Sequence, residues 1–343
     1  ILKVSKLRFL LFPFSFIYGF VTLFRNKLFD WGIFKVYEIP VKSICVGNLS
    51  VGGTGKSPMV IKLVEEFHSQ KNIVVLSRGY GRKTKGFLWV ESSGRTEDVG
   101  DEPLQVKLRF KEKIVVAVCE DRVKGVKKIL EEYPHTDLII LDDAYQHRWV
   151  KAGFTILLTS FSSPFFKDFL LPVGNLREGR YGAKRAQMVV LTKVKEEEID
   201  AANVILEKLN VNDRYYSSIV YDQPIAFGMP IEKMPSNAIL VTGIANSESL
   251  LRYLEKSFNV DHNRFSDHHE FNAAEIEEIH QKIGNFAPGS TVIFTTEKDH
   301  ARLMTKAEEY GIMNYPWYYV PISMEINDEI NFKNQLSAYV GTI

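Results

Sequence analysis

The chain has 343 residues, more than one core comfortably organises, so two units, or one large unit with an appendage, are expected. Its 43 Lys and Arg against 42 Asp and Glu leave a net charge of +1, which removes any whole-molecule argument for nucleic acid as a partner. Hydrophobic residues at 45% and charged residues at 25% exclude extensive disorder, and two cysteines set in apolar runs, Cys45 and Cys119, exclude a disulfide scaffold.

The N-terminus departs from that average. Residues 9–24 read FLLFPFSFIYGFVTLF, sixteen in a row without a charge, bracketed by Lys3, Lys6, Arg8, Arg25 and Lys27. As a helix this run measures about 24 Å, short of the roughly 30 Å hydrocarbon core, and Pro13 and Gly19 weaken it further. Basic flanks suit a helix lying at an anionic membrane surface or partly inserted into it. No small-residue cleavage site follows the run, which argues against a signal peptide.

Beyond it, uncharged β-branched runs recur at 43–46, 73–76, 114–118, 138–141, 155–158 and 188–191. Short continuous runs of this kind, separated by helical or loop-like stretches, predict a mostly parallel sheet buried on both faces by helices. Met59, Val60, Leu63, Val64 and Phe67 keep helical spacing between the first two, with Pro58 tolerated in the first turn. A second series at 238–241, 291–294 and 317–320, with helical stretches near 247–258 and 273–283, predicts a smaller α/β unit. The boundaries read from the sequence are an apolar helix at 1–28, a larger unit at 29–221, a linker at 222–236 and the smaller unit at 237–343.

The strongest local signal is Ser50-Val51-Gly52-Gly53-Thr54-Gly55-Lys56-Ser57, directly after a predicted strand. Glycines let backbone amides turn toward phosphate oxygens, and the following helix presents its positive end. Lys56 then reaches the β- and γ-phosphates and Ser57 offers a hydroxyl to Mg²⁺, which together describe a P-loop for ATP. Ser50 stands where the usual pattern has its first glycine. Residues 138–143 read LIILDD, a buried strand ending in Asp142 and Asp143, one of which would serve Mg²⁺.

Weaker clusters follow. Residues 77–82 (SRGYGR) place arginines after a strand, and 100–103 (GDEP) set Asp101 and Glu102 side by side. Residues 171–178 (LPVGNLRE) put Arg177 in a loop, and Asp267-His268-His269 precedes a helical stretch. That last trio reads as a helix cap, as general-base support across a cleft or, least well, as a metal site lacking a spaced third ligand.

Taken in order with GIAN at 243–246 and TTEKD at 295–299, these motifs resemble the tetraacyldisaccharide 4′-kinases, the lipid A 4′-kinases of Gram-negative bacteria. The resemblance runs over nearly the whole chain. It implies a P-loop unit and a smaller α/β unit around a cleft, bound peripherally to the cytoplasmic face of the inner membrane. It implies transfer of the ATP γ-phosphate to the 4′-hydroxyl of a tetraacylated glucosamine disaccharide 1-phosphate, with Asp101 and His268 as a catalytic pair beside Lys56. On residues and resemblance together, Ser57, Glu102 and Asp142 are expected at Mg²⁺, and Arg78, Arg122, Asp143, Gln146 and Arg177 at the substrate. No obligate protein partner is evident. A P-loop NTPase switch or assembly factor at the membrane is the alternative, and it requires nucleotide hydrolysis with no phosphorylated lipid.

Overall fold

Uncharged, β-branched runs become strands because branched side chains pack well on a pleated surface covered on both sides. The computed structural model describes residues 6–209, 211, 213–284 and 289–341; Lys3 and the side chain of Lys6 lie outside what is described. A 3₁₀ turn at Lys6–Leu11 leads into helix α1 (Phe12–Asp30). The chain continues through β1 (Tyr37–Glu38), β2 (Lys42–Asn48), α2 (Lys56–Phe67), β3 (Ile73–Ser77), β4 (Leu88–Trp89), α3 (Thr96–Val99) and α4 (Asp101–Phe110). Then come β5 (Val115–Val118), α5 (Arg122–Glu132), β6 (Leu138–Asp142), β7 (Val150–Lys151), β8 (Phe154–Ser160), β9 (Met188–Thr192), α6 (Ile199–Glu207) and β10 (Asp213–Tyr221). The remainder is β11 (Ile225–Ala226), β12 (Asn237–Thr242), α7 (Glu248–Leu254), β13 (Asn259–Arg264), α8 (Ala273–Gly284), β14 (Thr291–Thr296), α9 (Glu297–Met304), β15 (Trp317–Val320), β16 (Ile322–Ile326) and α10 (Glu329–Val340).

Nine strands form one sheet in the order β16-β10-β9-β8-β2-β6-β3-β5-β4, parallel except at its two edges. Five form a second in the order β11-β15-β14-β12-β13, parallel except for β11. Core clusters cover both faces of each sheet, as the α/β reading of the sequence expects. Because β2 pairs directly with β6, the glycine loop after β2 and the carboxylates at the end of β6 emerge side by side. In parallel sheets this C-terminal edge is where ligands bind.

The division of the chain differs from the sequence reading at its end. Segment 322–340, expected in the smaller unit, joins the larger one: β16 pairs antiparallel with β10, and Phe332, Leu336 and Val340 pack into the same core as Met59 and Leu63. Pro321 is the physical reason. It interrupts the apolar run WYYVPISMEI and has no N–H to donate, so the chain leaves one sheet there and enters the other as an edge strand. The expected linker at 222–236 also contains β11, which pairs with β15. Both crossings between the sheets lie together, the Asp222 amide donating to the Pro321 carbonyl at 3.0 Å.

Helix α1 packs with its polar side inward. Ser15 Oγ donates to the Leu170 carbonyl (3.0 Å) and accepts from the Val173 amide (3.1 Å). The Tyr18 hydroxyl donates to the Arg177 carbonyl (2.7 Å), and Asn26 Nδ2 donates to Glu178 (2.8 Å). A Cβ on Gly19 would come within 2.7 Å of Leu170. Phe12, Phe14, Phe16, Ile17, Phe20, Val21 and Phe24 all stay exposed. Helical structure also runs past the uncharged stretch: Arg8–Asp30, 23 residues, is long and apolar enough to cross a membrane by length and composition, which removes the length objection raised from the sequence.

Candidate active site

Glycine shapes the loop between β2 and α2. Gly52 and Gly55 take φ of 107° and 86°, a region costly for any residue with a Cβ. Gly55 caps α2 and no side chain bonds the first-turn amides, so that end of the helix is open to an anion. The loop is held from outside: the Val51 amide donates to the Asn175 carbonyl (2.8 Å), Ser50 pairs with Leu176, and Thr192 Oγ1 donates to the Thr54 carbonyl (2.9 Å). Lys193, which the sequence reading passed over, donates to the Gly53 carbonyl at 2.7 Å. Burial, then the neighbouring charges of Lys298 and Lys56, hold its ammonium below the ordinary lysine range. Three cations therefore converge on one loop.

Around them stand three carboxylates. Asp142 is buried, accepts a hydrogen bond from Ser77 Oγ (3.0 Å) on one oxygen, and has no partner for the other. Burial, reinforced by the charges of Glu102 and Asp143, raises its carboxyl to about 7. Glu102 is treated oppositely: burial would raise it, but Lys298 and Lys56, with a hydrogen bond from Ser57, lower it to about 2. Asp143, at φ 46°, lies 3.8 Å from Lys56 Nζ and 3.0 Å from Arg177 Nη1. A non-glycine residue in this strained region is a feature concentrated at functional sites.

Ser57 Oγ, Glu102 (2.9 Å apart) and the unpartnered oxygen of Asp142 are hard oxygen donors at the mouth of α2 and fit a Mg²⁺ ion. Among the described residues no group of three or more His, Cys, Asp and Glu side chains forms a protein-only metal cage, the Asp267-His268-His269 trio included. His269 turns away from the cleft to Glu275 (2.9 Å) and stacks on Phe265.

His268 points across the cleft. At φ 58° its amide donates to the Gly243 carbonyl, and Nδ1 lies 2.9 Å from Asp101 Oδ2. Gly243 is tight there, a Cβ meeting Asp299 and His269 at 3.1 and 3.2 Å. Asp101 is also gripped by Arg302, through Nε (2.9 Å) and Nη2, and Arg302 is fixed in turn by Asp299 and the Gly243 carbonyl. Burial would raise the Asp101 carboxyl, but Arg302 and His268 outweigh it and hold it below the usual range. Arg302 was not singled out from the sequence, and Lys298 entered only as part of TTEKD at 295–299. The available signal was a basic pair four apart on a helix opposite the Asp-Glu pair.

The expected substrate residues separate. Arg78 is exposed, and Arg177 reaches Asp143 and, at 3.4 Å, Gln146. Gln146 Nε2 donates to the Asn48 carbonyl (2.8 Å) and Glu178 (3.1 Å). Arg122 corrects the sequence reading. It is 2% exposed and spends its guanidinium on the carbonyls of Cys119, Glu120 and Asp142, so it braces the strand ends instead of facing the cleft.

The model of the tetraacyldisaccharide-1-P 4′-kinase family matches residues 7–341. The chain belongs to this family. A tetraacyldisaccharide 4′-kinase of Flavobacterium psychrophilum is 41% identical over 348 residues, 98% of each chain. One of Bacteroides fragilis is 39% identical over 350 residues, 96% of this chain and 92% of its own. Among solved structures, an "apo" form of LpxK from Aquifex aeolicus in complex with ATP gives a TM-score of 0.76 at 28% identity, covering 98% of this chain and 100% of that one. In this member of the tetraacyldisaccharide 4′-kinases the acidic cluster makes a pH-dependent demand on the fold.

Asp142 titrates near 7 when folded and near 4 when unfolded, so the folded chain holds the extra proton and stability falls as pH rises through that window. Asn at position 142 keeps an acceptor for Ser77 without the charge. With EDTA and no nucleotide, Asp142→Asn should melt roughly 5 °C above wild type at pH 8, with the gap shrinking toward pH 5. Thermal scans at both pH values check this; an equal gap at both would mean that Asp142 titrates normally.

Proposed function

We propose that this protein transfers the γ-phosphate of ATP to the 4′-hydroxyl of a tetraacylated glucosamine disaccharide 1-phosphate, yielding a lipid A precursor, with Mg²⁺ and at a membrane surface. The observation that carries it is the Asp101–His268 pair at 2.9 Å, assembled from both units beside the glycine loop. A kinase must take a proton from a hydroxyl beside its phosphate donor, whereas an NTPase switch has no use for such a pair.

The residues divide the work. Lys56 and the amides of the loop would hold the phosphates, and Ser57, Glu102 and Asp142 would hold the Mg²⁺. When bound, Mg²⁺ would neutralise phosphate charge. Arg177, now on Asp143, is placed to offer its guanidinium to the phosphoryl group, and Arg78 and Gln146 to meet the sugar phosphate. Arg302 makes Asp101 a weak base and a firm anchor. With Nδ1–H donated to Asp101, His268 offers Nε2 for the hydroxyl proton, and the carboxylate beside it stabilises the imidazolium that results. The proton moves from the sugar oxygen to Nε2 as that oxygen bonds to the γ-phosphorus and the bond from that phosphorus to the β–γ bridging oxygen breaks, ADP leaving with the electron pair.

The outward apolar face of α1 supports the membrane part of the reading, since a substrate with four acyl chains is met at a bilayer. A cavity of about 270 Å³ lies beneath the helix, lined by Phe12, Phe16, Phe169, Leu170, Val173 and Leu176 among others.

Labelled ATP and the 1-phosphorylated tetraacyl disaccharide in detergent micelles, followed by thin-layer separation, test the activity. Label in lipid is expected from wild type and nearly none from Lys56→Ala; hydrolysis without labelled lipid would favour the switch. In the same assay His268→Ala and Asp101→Ala should each lower kcat about 10²–10⁴-fold, and the double variant little more than the worse single one. Multiplicative losses would mean that the two act independently.

The membrane role makes its own prediction. Phe16 and Phe20 are 74% and 63% exposed, so replacing both with Ser should leave the melting temperature unchanged. Sedimentation with anionic vesicles should fall several-fold, since two aromatic anchors are gone. Unchanged vesicle binding would remove α1 from membrane contact.

A further inference from the structure

We propose that Lys298, carried by the smaller unit, is a phosphate-binding residue of the nucleotide site and that its contact with Glu102 is a resting position. The inference rests on the nucleotide site described above and adds to it a residue from the opposite side of the cleft.

One oxygen, Glu102 Oε1, accepts from two donors: Ser57 Oγ at 2.9 Å and Lys298 Nζ at 2.7 Å. Ser57 and Glu102 are the pair suited to a divalent cation, so the Lys298 ammonium supplies the positive charge that this pair otherwise lacks. A cation arriving with ATP competes for the same carboxylate oxygen, and Lys298 is then released within reach of Lys56 and Lys193, whose ammonium groups already flank the glycine loop.

The two basic residues of α9 are built for different tasks. Arg302 is buried, holds Asp101 through two nitrogens and is itself held by Asp299 and Gly243, a clamp with no free valence. Lys298, one turn earlier, is about 29% exposed and makes a single contact with Glu102. Lysine is a compact point charge on a flexible stem, able to exchange a carboxylate for a phosphate oxygen where a bidentate arginine is not. The helix that carries it does not drift: Thr296 caps α9 at the Asp299 amide, and Glu297 is tied to Gln105 (2.9 Å) and Arg109 (3.2 Å) of α4. An anchored helix with one mobile cation is the arrangement that reports a nucleotide to the smaller unit. A mere surface ion pair would contribute little, and its loss would leave ligand binding untouched.

The test measures binding on the full chain without turnover. With Mg²⁺ and a non-hydrolysable ATP analogue, Lys298→Met should weaken nucleotide binding by calorimetry about tenfold or more, the loss of one charge-assisted contact. Without nucleotide, the same variant should bind Mn²⁺ several-fold more tightly by electron paramagnetic resonance, because a resident competitor is gone. Lys298→Arg should recover most of the ATP affinity. Wild-type ATP and Mn²⁺ affinities in Lys298→Met would overturn the proposal. So would weaker binding of both together with a lowered melting temperature, which identifies a purely structural pair. Lys56→Ala, run alongside, separates the two readings. Strong ATP binding in that variant would defeat the nucleotide site itself, whereas lost binding there with intact binding in Lys298→Met defeats only the role of Lys298.

Discussion

Carboxylates crowded at the buried end of a parallel strand repel one another, and this site is organised around that repulsion. Burial and its neighbours raise Asp142 to about 7, while Glu102, a few ångströms of structure away, is lowered to about 2. The difference lies in which carboxylate receives a cation. Each cation comes from a different part of the chain: Lys56 from the glycine loop, Arg177 from the loop after β8, Lys298 from the smaller unit. Removing one partner of such a set leaves an uncompensated charge, so the acidic cluster ties three segments to one point.

Asp101, the residue beside Glu102, receives the opposite kind of partner. A planar guanidinium that bonds through two nitrogens fixes orientation as well as charge. Arg302 thereby fixes the orientation of Asp101 toward His268, and the two α9 contacts give the adjacent carboxylates separate partners. Because Arg302 belongs to the smaller unit and Asp101 to the larger, this contact joins the two units.

The parts of this site written in local sequence were legible. A glycine-rich turn between an apolar run and a helical pattern needs no tertiary information, and neither does an apolar strand ending in two aspartates. Pairings across more than a hundred residues have no local trace, which is why Arg302 and Lys193 were passed over and Lys298 entered only within TTEKD; Arg122, expected at the substrate, meets carbonyls no more than 20 residues away. A basic residue after a strand reads the same whether it faces a ligand or a carbonyl cage. Segment 322–340 was assigned to the smaller unit because a single proline in an apolar run does not say in sequence that the strand after it joins another sheet. The inward face of α1 was readable: Ser15, Tyr18, Thr22 and Asn26 recur every three or four residues, a polar stripe on an otherwise apolar helix.

That stripe bears on how a helix with an outward apolar face meets the glycine loop. A helix on a soluble protein turns its apolar stripe to the core. Here Ser15, Tyr18 and Asn26 face the protein, and the exposed phenylalanines forgo roughly 1.5–3 kcal/mol each of burial unless something apolar covers them. Four of these polar contacts land on one loop, at Leu170, Val173, Arg177 and Glu178. The same loop holds the glycine turn from its other side, through Asn175 to Val51 and the Arg177 amide to Leu49, and sends the Arg177 side chain to Asp143. Packing of this density transmits displacement, because a shift in one layer cannot be absorbed by voids in the next. Helix α1 and the loop that holds the glycine turn therefore share a single mechanical support, and a displacement of α1 is a constraint on Arg177.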